Sequence, residues 1–96
     1  MGHKYRTREK IIYELLTKIK DKKGVIASTE LMYRVFLSHY QLKAYLKRLE
    51  EKELIRRDPQ QHSRLYITEK GKKYLTLLEQ LNTFLDKKVK EPYLTV

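Results

Sequence analysis

The stretch from Leu37 to Ile55, LSHYQLKAYLKRLEEKELI, leaves its backbone little choice. Ser38 is placed to cap a helix, and Gln41 three residues on completes an S-x-x-[EQ] capping box. In that box each side chain satisfies a backbone N–H of the other residue that the helix leaves orphaned. Behind it Leu42, Tyr45, Leu46 and Leu49 recur at i, i+3, i+4 and i+7, one apolar stripe on an α-helix. The opposite face carries His39, Gln41, Lys43, Ala44, Lys47 and Arg48. Its charges run against the helix dipole: Lys43 and Lys47 come first, and Glu50 and Glu51 fill the last turns. That order costs ~0.3–1 kcal/mol per charge at an exposed end. A polyanion docking on the first half of the helix would select it. Pairing of Lys47 with Glu50 or Glu51, with the other charges solubilising, would explain it equally.

The rest of the chain supplies a frame for this helix. Met1 to Arg8 is a basic lead-in, an arm for nucleic acid or a frayed terminus. Thr7 is placed to cap a first helix, Ile12, Leu15, Leu16 and Ile19 give its stripe, and DKKG ends it at Gly24. Val25-Ile26-Ala27 is long enough for a minimal strand. Ser28 or Thr29 then caps a short second helix that turns Leu31, Met32 and Val35 inward. Only a tight turn fits between Val35 and the Ser38 cap, so the two helices form a helix-turn-helix. Leu54 to Arg57 and Arg64 to Ile67 read as strands, and DPQQHS between them is a turn-initiating loop. This hairpin is the wing of a winged helix, with Arg56, Arg57 and Arg64 on its flanks and Gln60, Gln61, His62 and Ser63 at its tip. The alternative is a plain hairpin with a solvated tip.

Thr68 caps a last helix that runs until Pro92 forbids continuation. It carries two apolar seams: Leu75, Leu78, Asn82, Leu85 and Val89 at 4–3 spacing, and Tyr74, Leu77, Leu81 and Phe84 beside them. One seam can pack on the domain while the other needs a partner, and Asn82 sits where a polar residue fixes coiled-coil register. Leu75, Leu78, Leu81, Asn82, Leu85 and Val89 are therefore the expected dimerisation residues. The expected architecture is mainly α with a small β-hairpin. It comprises a DNA-binding winged helix-turn-helix over 1–67, a dimerisation helix over 68–91 and a tail over 92–96.

Composition narrows the partner. A net charge of +10 on 96 residues favours phosphate-rich partners or an anionic membrane surface. No apolar run approaches the ~20 residues of a membrane span, and no signal peptide is legible, so a soluble, cytoplasmic protein is expected. The absence of cysteine leaves no disulfide or thiolate metal site, and the charged fraction of 35% suits a thermophile. His3, His39 and His62 lack metal-ligand spacing, and the three glycines form no phosphate-cradling loop. No enzyme, cofactor or small-molecule ligand is expected.

The strings LMYRVFLSHYQLKAYLKRLEEKELI and LYITEKGKKYLTLLEQL, from Leu31 to Ile55 and from Leu65 to Leu81, resemble the small basic winged-helix chromatin proteins of Sulfolobus and related archaea. The resemblance is carried by Leu37-Ser38, by Tyr45 to Leu49, by Leu54-Ile55 and by T-x-K-G at Thr68 to Gly71. It implies a homodimer joined by its final helices as an antiparallel coiled coil, with two winged helices on duplex DNA. Here the tail after Lys90 is short, so that coiled coil would be brief.

The expected function is therefore homodimeric binding of double-stranded DNA, as a nucleoid (chromatin) protein or transcriptional regulator. His39 to Lys52 would enter the major groove and the Gln60–Ser63 tip would lie along the backbone or in the minor groove. Lys43, Lys47, Arg48, Arg56, Arg57 and Arg64 would neutralise phosphates, joined by Arg6 or Arg8 if the arm is ordered. His39, Gln41 and Lys43 would read bases, and Tyr40 and Tyr5 would touch the partner. A face without Asn, and with arginine only at Arg48 towards its far end, leans towards low sequence specificity. The rival readings are a protein-assembly module of the transcription machinery and an RNA-binding protein.

Overall fold

The structure is a computed structural model that describes residues 6–86. The chain runs α1 (Arg8–Asp21), β1 (Val25–Ala27), α2 (Ser28–Arg34), α3 (His39–Glu51), β2 (Ile55–Arg57), β3 (Arg64–Ile67) and α4 (Glu69–Asp86). The expected helix-turn-helix and hairpin are both present. The expected run of α4 to Lys90, including Val89, and the 92–96 tail lie outside the described residues, as do Tyr5 and the side chains of Asn82 and Leu85.

The sheet is larger than a hairpin. Its order is β1-β3-β2, antiparallel throughout, with Ile26 opposite Leu65 and Ile55 opposite Ile67. Period-2 alternation turns Ile26, Ile55, Leu65 and Ile67 into the core. There they meet Leu15, Leu16 and Ile19 of α1, Leu31 of α2, Leu42, Leu46 and Leu49 of α3, and Leu75 of α4. No charged side chain is buried among the described residues. The β1–β3 pairing also changes the start of α2. Its N-cap is Ala27, without a side-chain cap, rather than Ser28 or Thr29. The Ser28 N–H extends the sheet, donating to the Ser63 carbonyl at 2.7 Å.

The first three helices end alike. Gly24 N–H bonds the Ile19 carbonyl, Leu37 N–H the Met32 carbonyl and Leu54 N–H the Leu49 carbonyl. With the inner bonds from Lys23, Phe36 and Glu53, these are Schellman motifs, each requiring one residue in the left-handed region. Those residues are Lys23 (φ 62°), Phe36 (φ 55°) and Glu53 (φ 62°), none of them glycine.

Thr68 and Gly71 fasten α4 to the domain. The Thr68 hydroxyl donates to the Glu53 carbonyl at 2.7 Å and accepts from Gly71 N–H at 2.9 Å. Thr68 N–H reaches the Leu54 carbonyl at 3.1 Å. Gly71 passes so close to that strand entry that a Cβ would sit 2.1 Å from the Leu54 carbonyl oxygen. The T-x-K-G string thus closes the helix cap and lets α4 cross the backbone beneath it.

Candidate nucleic-acid interface

The capping box fixes where α3 begins. Gln41 N–H donates to Ser38 Oγ and Ser38 N–H to Gln41 Oε1, both at 3.0 Å. Helical spacing of 3.6 residues per turn then opposes the buried Leu42, Leu46 and Leu49 with an exposed ridge of Tyr40, Lys43, Ala44 and Lys47. His39 and Arg48 flank this ridge and are also exposed. Gln41 is exposed, but its carbonyl is committed to the cap rather than available for reading.

The two readings of the charge order now separate. Lys43, Lys47 and Arg48 have no acidic partner among the described residues, and Glu50 pairs with Arg57 of β2 instead. No carboxylate of the helix therefore compensates Lys43 or Lys47, while Arg48 lies in the last turn, where the dipole favours a cation.

The hairpin is built by Asp58. Its Oδ1 accepts from the backbone N–H groups of Gln60 (2.8 Å) and Gln61 (3.2 Å), and Oδ2 accepts from the Tyr66 hydroxyl (3.2 Å). Those bonds, the Gln60 N–H foremost, hold its carboxyl below the usual Asp value. A lowered folded value means that ionised Asp58 supports the turn above the unfolded Asp value of ~3.9. The support is lost as pH falls through the lower folded value. The Gln60 and Gln61 amide resonances are therefore expected to shift and lose exchange protection together on acidification below that range, and Asp58→Ala to abolish the transition. An unchanged titration in the variant would show that Asp58 does not hold the tip.

The hairpin arginines have different tasks. Arg57 pairs with Glu50 and donates to the His62 carbonyl at 2.9 Å, tying the end of α3 to the tip. Arg56 lies over the Tyr66 ring, 5.0 Å from its centroid. Arg64 is exposed and forms no ion pair among the described residues. Gln60, Gln61, His62 and Ser63 are exposed at the tip. Because the charge of Arg57 is already balanced, Arg57→Ala is expected to loosen the hairpin against α3 while leaving the salt dependence of DNA binding nearly unchanged. A salt slope lower by ~0.9 in that variant would instead mark a phosphate contact.

Two clefts of about 210 Å³ border α3. One, between α3 and the sheet, is lined by Ser28, His39, Leu42, Lys43, Leu46 and Arg57. The other brings Arg8 beside Ala44, Tyr45 and Arg48. Arg6, by contrast, is drawn back to Glu14 and the Phe36 carbonyl. The sequence reading passed over two exposed aromatics beside this face, Tyr33 and Phe36. A signal was available: Leu31 and Val35 share the buried face of α2, and Tyr33 between them must point away.

On α4, Leu75 is fully buried in the chain's own core and has no surface to offer a second copy. Leu78 is half-buried, whereas Leu77 and Leu81 are 61% and 51% exposed, with Phe84 on the same side.

A helix-turn-helix followed at once by a two-stranded wing, closed by a helix, is matched by the winged helix-turn-helix family profile over residues 5–87. The chain belongs to the winged helix-turn-helix family. Among solved structures, this winged helix is similar to F93 from STIV, a winged-helix DNA-binding protein. The TM-score is 0.68 at 18% identity, covering 79% of this chain and 90% of F93. It is also similar to transcriptional regulator PA4135 (TM-score 0.60, 20% identity, 93% of this chain and 72% of that one). The PcaV transcriptional regulator from Streptomyces coelicolor matches at 0.58 with 22% identity, over 76% of this chain and 59% of PcaV. At these identities the likeness is one of fold. No curated protein matches the winged helix in sequence. Among the described residues no helix is long and apolar enough to cross a membrane, and no cluster of His, Asp or Glu could hold a metal ion.

Proposed function

We propose that this winged helix binds double-stranded DNA as a homodimer and acts on transcription or on nucleoid organisation. The carrying observation is the ridge of α3, where Lys43, Lys47 and Arg48 stand without acidic partners beside a braced wing that carries Arg64. Lys43 and Lys47 draw nothing from the helix dipole and have no carboxylate to pair with, and a phosphate backbone accounts for them. F93 is described as a DNA-binding protein and PcaV as a transcriptional regulator, which supports the same reading. With its carbonyl in the cap, Gln41 keeps only its amide NH2 for base contacts, which favours a protein that grips backbone more than sequence. The dimer is supported by the exposed Leu77 and Leu81, which lie on a helix whose opposite side already covers the core.

Titration of the chain with duplex, random duplex and single-stranded competitors tests this reading. A dimer contacting ~6–10 phosphates should lose roughly 10³–10⁵-fold in affinity between 50 and 200 mM salt. A flat log–log salt plot, or equal affinity for single strands, would reject duplex binding.

A further inference from the structure

Phe36 is the residue that the fold does not explain. It occupies the left-handed position of the Schellman motif between α2 and α3, a position better suited to glycine. The chain contains its own controls, because the same position after α1 is Lys23 and after α3 is Glu53. Both are solvated side chains. The motif's bonds are made by the backbone, and its apolar contact is supplied by Leu37, which is buried at 7% exposure. The Phe36 ring is 85% exposed, so it adds an apolar surface without completing the turn.

It is not isolated. The Phe36 N–H bonds the Tyr33 carbonyl, and Tyr33 is 68% exposed. Tyr40, on the outward ridge of α3, is 83% exposed. Nearby, Arg6 pairs with Glu14, and Arg34 and Lys22 share the Glu30 carboxylate. Phe36 lies two residues before the Ser38 cap, and Tyr40, in the first turn of α3, leads on to the Lys43–Lys47 ridge.

We propose that Phe36, with Tyr33 and Tyr40, packs on the sugar–phosphate edge of the DNA duplex whose groove α3 enters. This rests on the duplex-binding reading above. Continuity with the lysine ridge selects the occupant, since whatever covers Tyr40 also lies against Lys43 and Lys47. Deoxyribose offers an apolar face to the Phe36 ring, and the flanking phosphate oxygens accept from tyrosine hydroxyls. The contact is non-ionic and indifferent to sequence.

The test uses Phe36→Gly and Phe36→Lys in the full chain, with thermal melting, sedimentation and duplex titration at several salt concentrations. Both variants should melt at or above the wild-type temperature, since glycine relieves the backbone and lysine already serves at position 23. Phe36→Gly should weaken duplex binding on the order of tenfold, equally across sequences and with an unchanged salt slope. Phe36→Lys should recover affinity while steepening the slope by ~0.9 per added phosphate contact. If wild type binds duplex steeply and both variants match it in affinity and slope, the aromatic contact is overturned while duplex binding stands. Loss of self-association without loss of DNA affinity would overturn it in favour of a second copy, and a collapsed melting temperature would assign the ring to the core. A wild-type chain that fails to bind duplex removes the underlying reading as well.

Discussion

Gly71→Ala is expected to lower the thermal midpoint by on the order of 10–20 °C. The new Cβ would stand 2.1 Å from the Leu54 carbonyl oxygen and 2.8 Å from Ile67 Cγ1. The nearer atom is backbone, and it already accepts the Thr68 N–H, so it cannot turn aside as a side-chain tip could. Either α4 lifts from the sheet or the start of β2 moves, and both disturb the core that Leu75 shares with Leu54, Ile55 and Ile67. Alanine is the better helix former by ~1 kcal/mol, a gain smaller than the ~3 kcal/mol expected from overpacking. Melting followed by circular dichroism measures the outcome. A variant as stable as wild type would mean that α4 does not cross the Leu54 backbone this closely.

Leu77→Asp combined with Leu81→Asp should give a folded monomer whose affinity for long duplex DNA is lower by ~10²–10⁴-fold. Both side chains lie more than half in water within one protomer, so the charges cost that protomer little. Linked winged helices gain from the high effective concentration of the second head once the first has bound, and separation removes that gain. Leu75→Asp is the contrasting control: that side chain is fully buried, and an unpaired carboxylate there should unfold the chain. Sedimentation, circular dichroism and a binding titration read all three. Wild type that sediments as a monomer at micromolar concentration would reject the dimer, and unfolding of the double variant would place Leu77 and Leu81 within the protomer's own core.

Features whose causes lie within a few residues were legible from the chain alone. Ser38 and Gln41 specify the start of α3, because an orphaned backbone N–H must find an acceptor close by, and both bonds are formed. The stripe of Leu42, Leu46 and Leu49 faces the core because a helix repeats every 3.6 residues whatever it packs against. Asp58 marks the turn of the wing, since its short carboxylate reaches the next two amides unaided.

Relations across the chain needed the packed molecule. The pairing of β1 with β3 is fixed by a register between distant segments. Arg57 was indistinguishable in sequence from Arg56 and Arg64 until Glu50 and the His62 carbonyl were brought to it. Both seams of α4 are apolar, and the site where the helix crosses Leu54 sets the rotation that buries Leu75 and leaves Leu77 and Leu81 outside. The glycine of T-x-K-G is readable as a letter, but its necessity comes from a carbonyl on another element. Local hydrogen-bond demand writes caps, turns and stripes into consecutive residues. Facing, pairing and close approach are settled by which surfaces the collapsed core brings together.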